Sequence, residues 1–175
     1  MLVAVNLATA LGAMLGLSWS HNQHDTSLGR FGSAAALVLL LGSGAWSAIQ
    51  PGAAGHRRVA AALLALGGAG VIFGGSGYDT GRPFAAGLSC AAIVLAAAVI
   101  PAFLTAQHLS GFAYSTSRAL VGAASAGVGG VLALHFHCPI GAAPHLAAFH
   151  ALPWALVIVL TTQARRRLPS RSFAP

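Results

Sequence analysis

Long apolar runs broken by short polar stretches dominate the chain, at residues 1–19, 31–50, 59–78, 85–107, 119–136 and 146–163. Each approaches the roughly 20 residues a helix needs to cross a bilayer's hydrocarbon core. None alternates with the two-residue period of a barrel strand. In lipid, backbone polar groups must be bonded within their own segment, so each run is expected to be a helix. The pattern predicts an all-α, polytopic bundle of six transmembrane helices over 1–163, followed by a basic tail over 164–175.

Composition strengthens this picture. Hydrophobic residues make up 57% of the 175 and charged residues 6%, against about a quarter charged in soluble domains. The formal charge of +7 comes entirely from arginine, opposed by Asp25 and Asp79. An even number of spans with a cytoplasmic C-terminus leaves Arg57, Arg58, Arg118, Arg165, Arg166, Arg167 and Arg171 inside. Only Arg30 and Arg82 then lie outside. That asymmetry obeys the positive-inside rule and predicts both termini in the cytoplasm, in a bacterial inner (plasma) membrane. Topology therefore accounts for the basic excess, and direct nucleic-acid binding is not expected. No basic stretch precedes the first apolar run, which argues against a cleaved signal peptide.

Small residues suggest where helices meet, since lipid provides no hydrophobic drive for pairing. Gly12 with Gly16, Gly70 with Gly74, and Gly122 with Ala126 and Gly130 are spaced to let backbones approach. Asn6 is expected to bond between helices. Pro101 and Pro153 are expected to bend theirs. Trp19 and Tyr78 are placed at the outer interface and Trp46 at the inner one.

Candidate chemistry gathers in HFHCPIGAAPHLAAFHALP, from His135 to Pro153. His135, His137, Cys138, His145 and His150 crowd around one outer loop, and His21 and His24 occupy another. Cys90 lies about six residues into the fourth run, roughly 8–9 Å below its outer end. Thiolate with imidazole suits zinc, cadmium or copper. Two cysteines in an oxidising compartment can equally form a disulfide or a redox-sensitive dithiol. A third reading is that Cys90 simply packs and the histidines are water-tolerant loop residues. The spacing matches no standard zinc signature. His145 and His150 are five apart, about 140° on an ideal helix, so sharing a face requires a distortion, for which Pro153 is a candidate cause. There is no phosphate loop, nucleophile elbow or carboxylate pair, so no catalytic residue is assigned and an enzyme is not expected.

Residues 85–167 resemble the NrsF family, membrane-embedded anti-sigma factors that negatively regulate extracytoplasmic-function sigma factors. The resemblance rests on Cys90 early in the fourth run, Pro101 later in it and the inner loop ending at Arg118. A small-residue fifth run, LALHFHCP ending at Cys138 and Pro139, and a last helix with a basic tail complete it. It implies a repressor that holds a sigma factor at the inner face and releases it under heavy-metal or redox stress. Cys90 and Cys138 become the implied sensing residues. Arg57, Arg58, Arg118, Arg165, Arg166 and Arg167 become inner-face contacts to the sigma factor or lipid. Family members begin with a cytoplasmic segment ahead of their first helix, where this chain starts within an apolar run. The alternative reading is a small carrier or binding protein for a soft metal ion, using the outward histidines and cysteines.

Overall fold

The structure is a computed structural model that describes residues 1–16, 28–50, 52, 54–75, 81 and 84–170. Among these the chain is helical and contains no strand. Helix α1 spans Leu2–Gly16, α2 Leu28–Ile49, α3 Ala54–Phe73, α4 Phe84–Leu109 and α5 Thr116–His137. The last, α6, runs over Ala143–Arg167 with a π-helical turn at Ala147–Ala151. Helices α2 to α6 are long and apolar enough to cross a membrane, and the chain is a multi-pass membrane protein. Helix α1 is apolar too, but its 15 residues reach about 22 Å at 1.5 Å per residue. That falls short of a hydrocarbon core of about 30 Å. Against the six expected spans, the described residues hold five and one shorter apolar helix. Trp19, His21, His24, Asp25, Tyr78, Asp79, Arg82 and Arg171 lie outside the described residues, as do the side chains of Gly16 and Arg30.

Helix α5 is the axis of the bundle, with every residue from Val121 to His135 buried. Its glycines and alanines admit neighbours on several sides. A Cβ added at Gly130 would stand 2.8 Å from the Val94 Cα of α4, and one at Gly129 would stand 3.2 Å from Ala10 of α1. Gly122 lies equally close to Thr105 and to Ala48 of α2, and the Trp154 ring of α6 covers Gly127. The expected stripe of Gly122, Ala126 and Gly130 is thus part of a wider surface. Close backbone approach gives dispersion contacts that lipid tails cannot match. Gly70 also packs as expected, against Ser33 of α2.

Gly12 does not. Among the described residues no atom of another element lies within 4 Å of a Cβ added there, because the buried stripe of α1 is Leu2, Asn6 and Ala10. Gly12 is two residues beyond Ala10, about 200° round the helix.

Buried polar groups bond between helices, as lipid demands. Asn6 donates to the Ser125 hydroxyl at 2.9 Å, and Ser125 donates to the Leu41 carbonyl at 2.7 Å, which ties α1, α5 and α2 together. The Trp154 indole N–H donates to the Ala124 carbonyl at 3.0 Å. These contacts also give directions. Ser33 meets His135 while Leu41 meets Ser125, so α2 and α5 are antiparallel. Asn6 meets Ser125 while Ala10 lies beside Gly129, so α1 and α5 are parallel. The outward faces of α4 and α6 are apolar, with Val99, Ile100, Phe103, Leu156, Val159 and Leu160 exposed. That surface suits lipid.

The last helix continues past the expected end at residue 163, to Arg167. Arg165 explains the extension. It is 2% exposed and turns inward, donating to the carbonyls of Leu109 at 2.8 Å and Phe112 at 2.6 Å. Further bonds reach the Leu168 carbonyl and the Ser170 hydroxyl. Carbonyls at a helix C-terminus lack intrahelical donors and carry the negative end of the dipole. One guanidinium therefore closes the end of α4.

Candidate functional site

At the opposite end of α4, Gly87 and Cys90 are three residues apart and so share a helical face. The Phe149 ring of α6 occupies the space a side chain at Gly87 would need. This brings α6 close beside Cys90. Cys138 ends α5, its N–H bonded to the Leu134 carbonyl at 2.8 Å. Its extended backbone is the conformation that a following proline, here Pro139, imposes. The helix end and the proline together aim Cys138 across at α4. The two sulfurs lie 3.8 Å apart, both buried. A disulfide needs about 2.05 Å, so these are two thiols in contact without a disulfide between them.

The π-helical turn supplies the other half. Pro153 has no N–H for the Phe149 carbonyl four residues back, and its ring would crowd that carbonyl in a regular helix. Just before it, the Leu152 N–H reaches back five residues to the Ala147 carbonyl, the bonding pattern of a π-bulge. The wider turn brings residues five apart onto one side. The rings of His145 and His150, badly separated on an ideal helix, have centroids 5.5 Å apart. His145 Nε2 lies 3.4 Å from the Cys138 sulfur. One ligand atom each from Cys90, Cys138, His145 and His150 falls within a group whose members all lie within 4.8 Å of one another.

His150 is the unusual member. It is fully buried, and among the described residues neither ring nitrogen meets a partner in full hydrogen-bond geometry, its nearest influence being on the Cys138 thiol. An aromatic ring flanks the group: Phe149 stands 5.0 Å from His145, centroid to centroid, and 5.1 Å from the exposed Phe84. The Cys138 thiol is held below the usual thiol range, chiefly by its hydrogen bond with Cys90. His150 acts in the same direction, and burial opposes both. Cys138 is accordingly the sulfur that more readily carries negative charge.

Of the histidines the sequence proposed as ligands, His145 and His150 join the cysteines and two others do not. His135 is buried and bonds Ser33 of α2 at 2.9 Å, a contact between helices. It sits inside α5, three residues back from Cys138, where its ring meets Ser33 of α2 and Phe136. His137, half-buried on the last residue of α5, stands outside the group of four.

The arginines gather at the other end. Arg58, Arg166 and Arg167 are exposed, while Arg57 and Arg118 are half-buried. Arg118 lies over the Phe112 ring, 4.9 Å from its centroid. Arg165 differs from the surface role expected of it, since its donors are spent on backbone carbonyls. Sequence reading missed Gly87, Phe149 and Trp154 as the contacts that hold α6. A glycine three residues before Cys90 was the available hint.

No family model matches the chain, and no solved structure matches it. It is similar to the carotenogenesis protein CarR of Myxococcus xanthus, with 28% identity over 142 residues. The match covers 79% of this chain and 63% of CarR, so the chain spans less than two thirds of that relative's length.

Proposed function

We propose that this protein is a membrane-embedded negative regulator of the NrsF type. In this reading it holds an extracytoplasmic-function sigma factor at the cytoplasmic face and releases it on metal or redox stress. It acts by binding rather than by turnover, in a bacterial inner membrane with the arginine end inside. The observation that carries the reading is the 3.8 Å contact between Cys90 and Cys138, the two residues the family resemblance implicates in sensing. They sit at the end of the bundle remote from the arginines. The similarity to CarR over most of this chain is compatible with it.

A path for the signal can be traced. Cys90 and Leu109 lie on one helix, 19 residues or about 29 Å apart. Leu109 accepts from Arg165 at the far end of α6, and α6 carries His145 and His150 at its near end. Anything that draws α4 and α6 together at the sulfur end bears on the Arg165 bonds at the other. Exposed Arg166 and Arg167 follow Arg165 on α6, and exposed Arg58 lies near the start of α3. Together they offer a basic surface to an acidic partner or to lipid headgroups. The signal must bind the two helix arrangements unequally, or nothing is transmitted. A coupling of about 1–3 kcal/mol would change sigma occupancy by roughly 5–150-fold.

The carrier alternative has less support. Between the sulfurs and the arginines the core is mainly apolar, with Val94, Val128, Val131 and Trp154. Its Asn6 and Ser125 bond each other and the Leu41 carbonyl, whereas a translocation path needs polar or ionisable groups facing a cavity.

The test is a sigma-dependent reporter in cells carrying Cys90→Ser or Cys138→Ser, with and without cadmium or diamide. Induction lost in both variants, with repression retained, is the expected result. Induction equal to that of the parent chain would remove the sensing role.

A further inference from the structure

The regulatory reading leaves open what the sulfur pair binds. We infer that Cys90, Cys138, His145 and His150 form a closed four-ligand site for one zinc-class divalent cation, Zn2+ or Cd2+, in each chain. The inference deepens the regulatory reading by naming the ligand of its sensing site. Binding itself requires no sigma partner.

Distances give the first argument. Thiolate sulfur and imidazole nitrogen bind zinc at about 2.3 and 2.0–2.1 Å in a tetrahedron. Donor atoms around such an ion are then about 3.3–3.8 Å apart. The sulfurs here are 3.8 Å apart, and the Cys138 sulfur is 3.4 Å from His145 Nε2. All four donors lie within 4.8 Å of one another, so small side-chain adjustments complete the tetrahedron.

The second argument is His150. A fully buried imidazole with both nitrogens unpartnered violates the rule that buried polar groups find partners. A coordinated cation would satisfy one nitrogen. The neighbour that bears on it, the Cys138 thiol, is itself a ligand of the proposed site.

Charge gives the third. Two thiolates cancel a divalent cation, and two neutral imidazoles add nothing, so the filled site is neutral. Neutrality matters where Cys90, Cys138 and His150 are buried beside Phe149 and where isolated charge is costly. Copper(I) with the same ligands would leave a net negative charge. The π-helical turn supplies the last argument, because such turns concentrate at functional sites. This one brings His145 and His150 to one side.

The experiment uses the full chain, reduced and purified in detergent or nanodiscs, loaded with Zn2+ or Co2+ and then passed through a desalting column. Equimolar zinc by mass spectrometry is expected. The cobalt form should show thiolate charge-transfer absorption and the intense visible bands of a tetrahedral site. His145→Ala and His150→Ala should each weaken binding by about 100-fold or more, beyond the 10–100-fold typical of outer-shell losses. His135→Ala and His137→Ala should bind as the parent does. Substoichiometric zinc, octahedral cobalt bands or unchanged binding in His150→Ala would overturn the site.

Variants that fail to fold leave a measurement on the unaltered chain, in which Zn2+ should protect both cysteines from alkylation. Absence of protection overturns the site as well. The two readings fail separately. Metal bound without effect on the reporter removes the regulatory role and keeps the site. A cysteine-dependent response to diamide in a chain that binds no metal does the reverse.

Discussion

The two ends of α6 handle buried polar groups in opposite ways. At one end Arg165 places its donors on the carbonyls of Leu109, Phe112 and Leu168 and the hydroxyl of Ser170. At the other, His150 is equally buried and neither ring nitrogen has a partner. A polar side chain satisfied by its own backbone is a fastening, and one left open in the interior is half of an interaction. Both motifs lie at α4–α6 contacts, so the same helix pair is locked at the arginine end and held open to chemistry at the sulfur end.

The strongest way to break this contrast is Arg165→Leu. It leaves the Phe112 carbonyl without its arginine donor, at about 1–3 kcal/mol for a buried group, while the Leu109 carbonyl keeps only the Phe112 N–H. A loss on the order of 2–3 kcal/mol is expected in denaturation of the detergent-solubilised chain. Arg165→Lys should recover only part of it, since an ammonium cannot span several carbonyls as the guanidinium fork does. A parental melting curve for Arg165→Leu would place this arginine with Arg166 and Arg167 on the surface.

Next in size is Gly130→Ala. The added methyl would stand 2.8 Å from the Val94 Cα, and overpacking of this kind costs roughly 1–3 kcal/mol. Forcing α4 from α5 also separates the sulfurs, so diamide should cross-link Cys90 and Cys138 more slowly than in the parent. In the parent the expected product is an intramolecular disulfide, since the sulfurs need close by less than about 2 Å. It should run as a monomer on a non-reducing gel. A predominantly dimeric product would mean that the pair does not meet within one chain.

A smaller effect sharpens the contrast from the other side. In the metal-free chain, His150→Ala removes an unpartnered imidazole, a gain that offsets the cavity it leaves. Its stability should stay within about 1 kcal/mol of the parent, although His150 is as buried as Arg165. Smallest of all is Gly12→Ala, which meets nothing within 4 Å and should change stability by less than about 0.5 kcal/mol.

Much of the bundle was legible in one dimension because lipid imposes simple rules. Runs of about 20 apolar residues pointed to the five membrane-length helices among the described residues, the third expected five residues too late. The small-residue stripe at Gly122, Ala126 and Gly130 marked a close-packed helix. The errors arose where side-chain direction mattered. Gly12 fits a packing motif but faces away from the stripe of Leu2, Asn6 and Ala10. His135 is close in sequence to Cys138 yet meets Ser33 of α2, because it lies within the helix, whereas Cys138 is the extended residue that ends it.

What the residues alone determined is the solvent of this protein and the helical answer to it, together with a suspicion that sulfur and imidazole gather at one end. Those depend on composition and local spacing, which the chain carries wherever it folds. The tertiary structure decided which donors meet. A missing N–H at Pro153 loosened one turn, Gly87 admitted Phe149, and Pro139 aimed Cys138 at Cys90. It likewise decided that Arg165 is a fastening, since a partner 56 residues away is beyond the reach of any local pattern.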